Sequence, residues 1–205
     1  MKTKEKDKKL KILAAGDFHG DAKVAKRLAE RAQKEKVDLV ILVGDIIGMV
    51  ETKDLIKPFI DRNQKVVFVP GNWETSTDAK TLAKQYGIKN LEENYVQYKN
   101  VGIFGIGSPD WSLYPDEDAS FKKLKKDFEK IKHLEKKILV SHLHAAGTKS
   151  ELSGFPGSLA LKKAIEKFKP DLFIAGHIHE LEGIHEKKGK TKVVNVGREG
   201  EILEV

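Results

Sequence analysis

The sequence predicts an α/β fold built on two sheets, and three observations carry the prediction. Short, nearly continuous runs of Val, Ile and Leu alternate with helical patterns through the first half, as in strands buried on both faces. Glycine, with Asp, Asn or Pro beside it, punctuates the ends of those runs. The tail changes to short segments split by turn signals, which adds further strands to the strand–helix order.

Residues 10–15 read as the first strand, and 22–36 as a helix with Val24, Leu28 and Ala32 on its inner face. A second strand at 39–43 precedes a shorter helix near 53–62. A third strand at 66–69 precedes a helix near 79–86. Residues 95–99 and 101–106 read as strands with Asn100 at the turn between them. Phe121, Leu124, Phe128, Ile131 and Leu134 then recur at helical spacing, with lysines filling the other positions. A strand at 137–141, a helix at 159–168 ending before Pro170, and a strand at 172–175 follow. Three tail segments lie near 181–186, 191–196 and 201–205. Their separators, Lys188-Gly189-Lys190 and residues 197–200, read as hairpin turns. No repeat or linker marks a boundary, so residues 1–205 are expected to form one domain with residues 1–9 a charged tail.

Composition narrows the chemistry. No apolar run approaches the length of a membrane span, and the stretch after the lysine-rich start is too short for a signal-peptide core. The cytoplasm is therefore the expected compartment, with no membrane partner. Cysteine is absent, so a metal site has to be built from His, Asp, Glu and Asn. The net charge of +7 raises the question of nucleic acid, but much of it sits in residues 2–11 and 122–137. The second stretch reads as the solvated face of an amphipathic helix, with no interleaved aromatics of the kind a single-strand platform uses. Nucleic acid is possible and not favoured.

The ends of the strands carry the functional signal. Ligands of open α/β sheets gather beyond the carboxyl ends of the strands. The first strand runs into Gly16-Asp17-Phe18-His19-Gly20, the second into Gly44-Asp45, and the third into Pro70-Gly71-Asn72-Trp73-Glu74. The strand near 140 runs into Ser141-His142-Leu143-His144, and the strand near 174 into Gly176-His177-Ile178-His179. Each piece alone is commonplace, since an Asp after a strand is usually a turn or a helix cap. Asp-x-His and His-x-His carry more, because residues two apart in an extended segment point to the same side and can share one ion. Five such pieces at the expected strand ends of one sheet point to a metal site made by Asp17, His19, Asp45, Asn72, His142, His177 and His179.

Set in order, Gly-Asp-x-His, Gly-Asp, Gly-Asn-x-Glu, Ser-His-x-His and Gly-His-x-His resemble the calcineurin-like metallophosphoesterase superfamily, over about Asp17 to Gly197. The resemblance implies a four-layer α-β-β-α sandwich of two mixed sheets flanked by helices, with the metal site at the strand carboxyl ends. It implies two divalent ions. Asp17, His19, Asp45 and His179 would hold one; Asp45, Asn72, His142 and His177 would hold the other, Asp45 bridging. Imidazole and carboxylate donors suit Mn, Fe, Ni, Co or Zn. Asn195-Val196-Gly197 resembles the turn that closes the family's site, with Val196 and Arg198 where its Pro and Ser usually stand.

The third motif departs from the family pattern, in which a phosphate-contacting His occupies the position of Trp73. An indole donates a hydrogen bond but supplies no proton at neutral pH. Three readings of Trp73 stand open. It walls the pocket and stacks on a base or aromatic leaving group, with a residue such as His144 giving the proton; it marks a slow enzyme or a binding module; or it packs away from the site. Glu74, which in the family orients the missing His, either takes an ion pair with a lysine or supports the site from behind. Arg198 either reaches a phosphate or lies on the surface. The loop 105–115, with Ser108, Asp110 and Trp111, is either a substrate wall or an ordinary surface loop. The expected activity is hydrolysis of a phosphodiester or small organic phosphate by a metal-activated water. The alternative is a catalytically weak metal-binding or protein-interaction module, and a nuclease ranks third.

Overall fold

The computed structural model describes residues 9–49, 54–110 and 116–205. Of the expected charged tail, only Lys9 lies within them, and Trp111 lies outside them. Five strands form one sheet: β1 (Lys11–Ala15), β2 (Leu39–Leu42), β3 (Val66–Phe68), β4 (Lys89–Asn90) and β11 (Glu201–Glu204), in the order β11-β1-β2-β3-β4. Six form the other: β5 (Val96–Tyr98), β6 (Val101–Ile106), β7 (Lys136–Ser141), β8 (Leu172–Ala175), β9 (His185–Lys188) and β10 (Thr191–Asn195), in the order β5-β6-β7-β8-β10-β9. Strands β1 to β4 run parallel with β11 antiparallel at the edge, and β6, β7, β8 and β10 run parallel between antiparallel β5 and β9.

Side-chain alternation explains why the strands read as unbroken apolar runs. Ile12, Ala14, Leu39, Ile41, Ile138, Val140, Leu172 and Ile174 meet between the sheets. Their neighbours Leu13, Ala15, Val40 and Leu42 face α1 (Ala22–Lys34), α2 (Lys57–Ile60) and α3 (Ser76–Tyr86). Leu139, Phe173 and Ala175 face α4 (Glu117–Ile131) and α5 (Leu159–Phe168). Both faces of the central strands are dry, and the result is the expected four-layer α-β-β-α sandwich.

Local chemistry sets the helix ends. The Asp21 carboxylate caps α1 by accepting from the backbone N–H groups of Lys23 and Val24. Helix α3 starts three residues earlier than its apolar pattern suggests, because Thr75 and Asp78 form a reciprocal capping box. Helix α4 presents Leu124 and Ile131 inward and Lys122, Lys125, Lys126 and Lys130 outward, as its spacing predicts, but Lys123 turns in to the Leu91 and Gly105 carbonyls and Asp127.

Two expectations need correction. Residues 197–200 are not a hairpin turn: β10 belongs to the second sheet and β11 pairs with β1 in the first, so this segment carries the chain between sheets. The segment near 181–186 is a 3-10 turn at His179–Leu181 followed by a strand that starts only at His185. Strand β4, two residues long beside Val67 and Phe68, is too short to carry a sequence period. Among the described residues no helix is long and apolar enough to cross a membrane.

Candidate metal centre

The five motif strands belong to two sheets rather than one, β1, β2 and β3 to the first and β7 and β8 to the second, and all deliver their residues at carboxyl ends on the same side of the sandwich. The backbone there is unusual. Asp17, His19, Asp45 and His177 have positive φ of 55°, 45°, 50° and 70°. Non-glycine residues in this region cost about 1–3 kcal/mol each and persist where surrounding structure over-determines them. Here backbone bonds knit the loops together: Asp17 N–H to the Gly44 carbonyl at 2.9 Å, His19 N–H to the Asp45 carbonyl at 2.8 Å, and Gly176 N–H to the His142 carbonyl at 3.0 Å. The neighbouring glycines are required by close approach. A Cβ on Gly44 would lie 2.3 Å from the Gly71 nitrogen, and one on Gly71 would lie 2.1 Å from Asp45 Oδ1.

The side chains gather in two groups. Asp17, His19 and His179 each place one donor atom within 4.8 Å of the others, as do Asp45, His142 and His177. In the first group, His19 Nε2 lies 3.3 Å from His179 Nε2, and His179 Nε2 lies 3.4 Å from Asp17 Oδ1. In the second, Asn72 Oδ1 is 2.9 Å and Asp45 Oδ2 is 3.5 Å from His142 Nε2. Asp45 Oδ2 is also 3.7 Å from His19 Nε2, so this one oxygen faces both groups. All seven predicted residues therefore converge.

The geometry fits cations. Donor atoms about 2.0–2.2 Å from a shared ion stand roughly 2.8–3.1 Å apart at right angles and roughly 3.3–3.6 Å apart in a tetrahedron. His142 Nδ1 lies 2.7 Å from the Val43 carbonyl, which can only accept. In the neutral ring Nε2 then presents a lone pair, facing the Asn72 oxygen. Asp17 Oδ1 is buried without a hydrogen-bond partner, a costly state that a cation relieves. Burial holds the His177 pKa down at about 4, with His142 acting in the same direction. Burial also lowers the His19 pKa, and both rings stay neutral as ligands must. His179 moves the other way, because the Asp17 carboxylate 3.4 Å from its Nε2 favours the charged ring.

Two residues support the donors from behind, and for Glu74 this is the second of its two expected readings. Glu74 is fully buried and pairs with no lysine among the described residues. Its carboxylate accepts four backbone N–H bonds, from Asp45 at 2.9 Å, Ile46 at 2.6 Å, Ile47 at 2.9 Å and Gly71 at 2.6 Å. Burial, followed by the nearby Asp45 carboxylate, pushes its pKa up while the N–H donors pull it back. Asn195, noted only as part of a closing turn, donates to the Ile178 carbonyl at 2.8 Å, between His177 and His179.

The remaining candidates separate. The Trp73 indole stands edge-on to the His19 ring at 5.2 Å and 77°, and its backbone N–H donates to Asp45 Oδ1 at 3.0 Å. It lines the site, and the reading in which it packs away is wrong. His144 is 2% exposed, its Nε2 sits 3.2 Å from the Phe155 carbonyl, and burial lowers its pKa. The proton of that neutral ring is committed to the carbonyl, which disfavours His144 as a donor to a leaving group. The Arg198 guanidinium is taken by Asp21 at 2.6 Å, on the surface. Ser108 is buried, and Asp110 accepts from Ser76 Oγ at 2.6 Å, tying that loop to α3.

Solved structures share this architecture. The protein TT1561 of Thermus thermophilus aligns with a TM-score of 0.74 at 18% identity, covering 96% of this chain and 99% of its own. A dimetal phosphatase from Danio rerio aligns at 0.60 and 12%, covering 91% and 88%. An archaeal phosphodiesterase aligns at 0.52 and 18%, covering 95% and 98%. No curated protein matches. The family described as calcineurin-like phosphoesterase matches residues 10–181. With that match over most of its length, the chain belongs to the calcineurin-like phosphoesterase family.

Proposed function

We propose that this chain is a dinuclear-metal phosphoesterase that hydrolyses a phosphodiester or small organic phosphate. One observation carries the reading: Asp45 Oδ2 stands between the two donor groups, 3.5 Å from His142 and 3.7 Å from His19, where a bridging carboxylate belongs. Asp17, His19, Asp45 and His179 would hold one ion, and Asp45, Asn72, His142 and His177 the other. Mn, Fe, Ni, Co and Zn all suit this donor set. Bound there, the ions supply charge neutralisation for a phosphoryl group and lower the pKa of water.

The chain's own residues then set direction and preference. Only Asp17 and Asp45 among the seven carry negative charge, so the loaded site attracts an anion. Glu74 and the knitted loops hold the donors still, which is what preorganisation requires. Trp73 closes the His19 side and supplies no proton. Esters with good leaving groups are therefore the best substrates, because their departure needs no general acid. The similar structures include a phosphatase and a phosphodiesterase, which supports both ester classes. The expected partner is a small phosphorylated molecule in the cytoplasm, with nucleic acid not favoured.

Trp73 in place of a histidine favours a second reading, a catalytically weak metal-binding or interaction module. One assay panel separates them. Protein stripped and reloaded with Mn, Ni, Co or Zn is tested on nitrophenyl mono- and diesters, cyclic nucleotides and single-stranded DNA. Turnover of nitrophenyl esters that His142→Ala abolishes supports the enzyme. Two bound ions with no turnover under any metal supports the module.

A further inference from the structure

Each donor group has an aromatic ring at its edge. Trp73 flanks the first, next to His19, and Phe155 flanks the second, 6.3 Å from His177 at 66°. Neither ring is stacked flat on its histidine. Phe155 is 54% exposed, and Leu152 in the same segment is 78% exposed.

That exposure is built in. Glu151 accepts the backbone N–H groups of Gly147 at 2.9 Å and Gly157 at 3.0 Å, lashing the segment at both ends. The Phe155 carbonyl meets His144 Nε2, its N–H donates to Ser153 Oγ at 3.3 Å, and Ser158 N–H donates to the His144 carbonyl at 2.9 Å. A phenyl ring held outward by this many bonds, beside a ligand histidine, is placed to meet something at the site.

We infer that Phe155, together with Trp73, selects phosphate esters whose organic group carries a flat aromatic ring. The inference rests on the metal-site reading and names the substrate class for it. An anionic phosphoryl group is drawn to the two donor groups, and the rings at their edges meet whatever the phosphorus is esterified to. Aromatic side chains discriminate a flat ring from an aliphatic one of equal size through offset or edge-to-face contact. Stacking of this kind contributes about tenfold in affinity per ring contact.

Calorimetry of the Mn-loaded protein with phenyl-, cyclohexyl- and methylphosphonate tests this, since their P–C bonds are not hydrolysed. Phenylphosphonate is expected to bind about tenfold more tightly than methylphosphonate and severalfold more tightly than cyclohexylphosphonate. Phe155→Leu should cut the preference of phenyl over cyclohexyl severalfold, with the remainder carried by Trp73, and Phe155→Tyr should retain it. Equal affinity for phenyl and cyclohexyl, or no effect of Phe155→Leu, overturns the inference and leaves the metal site standing. No binding of any phosphonate overturns the metal-site reading and this inference with it.

Discussion

The Glu74 carboxylate accepts the backbone N–H of Asp45 at 2.9 Å while fully buried, and the same carboxylate reaches Ile46, Ile47 and Gly71. Glu74 thus splints the loop that carries Asp45 to the loop that carries Gly71. Glu74→Gln replaces one accepting oxygen with a donor and strands two buried N–H groups, whichever way the amide turns. Each costs about 1–3 kcal/mol. Urea unfolding of the metal-free protein should show a loss of about 2–6 kcal/mol, with weaker metal binding. Unchanged stability contradicts the splint.

Gly71 packs directly on Asp45. A methyl group there would lie 2.1 Å from Asp45 Oδ1 and 2.4 Å from the Asp45 nitrogen. Gly71→Ala should displace the carboxylate and lower bound metal, with destabilisation of about 1–3 kcal/mol from overpacking. Metal analysis and denaturation check both. Full metal content in the variant would show that Asp45 is not held by this contact.

Much of the fold and site was legible because strand ends leave a plain signature. Apolar runs, a glycine and then Asp17, Asp45, Asn72, His142 or His177 are readable in the sequence without any contact information. What was hidden depends on distance along the chain. Glu74 binds backbone groups about 28 residues away, and backbone amides carry no residue signature. Whether residues 197–200 turn back on their own sheet or cross to the other depends on which edge is open beside β1, which no local pattern encodes. Phe155 lies in a segment held by Glu151 and His144 side-chain bonds rather than by a period, so its place beside His177 was not readable.

Restoring the absent proton donor should reveal its absence. Trp73→His is expected to keep metal content and to raise the rate on poor leaving groups, by up to about 10²–10⁴-fold, the usual contribution of general acid catalysis. Nitrophenyl esters should change little. An unchanged rate on alkyl esters would show that the proton already comes from elsewhere.

His177 gives the metal-free protein a pH signature. Its folded pKa of about 4 lies below the 6.5 of an ordinary histidine. Between those values the unfolded chain binds the extra proton, so this group's contribution to stability is full above 6.5 and is lost as pH falls toward 4. Histidine NMR should place the His177 midpoint near 4 and that of His179 above its ordinary value. Melting temperatures of His177→Asn should fall less steeply over the same window. A His177 midpoint at or above 6.5 contradicts the burial argument.

Asp45 is the hinge of the proposed centre, with its Oδ2 facing His142 at 3.5 Å and His19 at 3.7 Å. Elemental analysis of stripped and reloaded protein should give two divalent ions per chain, and Asp45→Ala should lose the weaker ion entirely and release the other on dialysis. Fewer than two ions in the parent protein, or two retained by Asp45→Ala, would contradict a dinuclear centre bridged by this carboxylate.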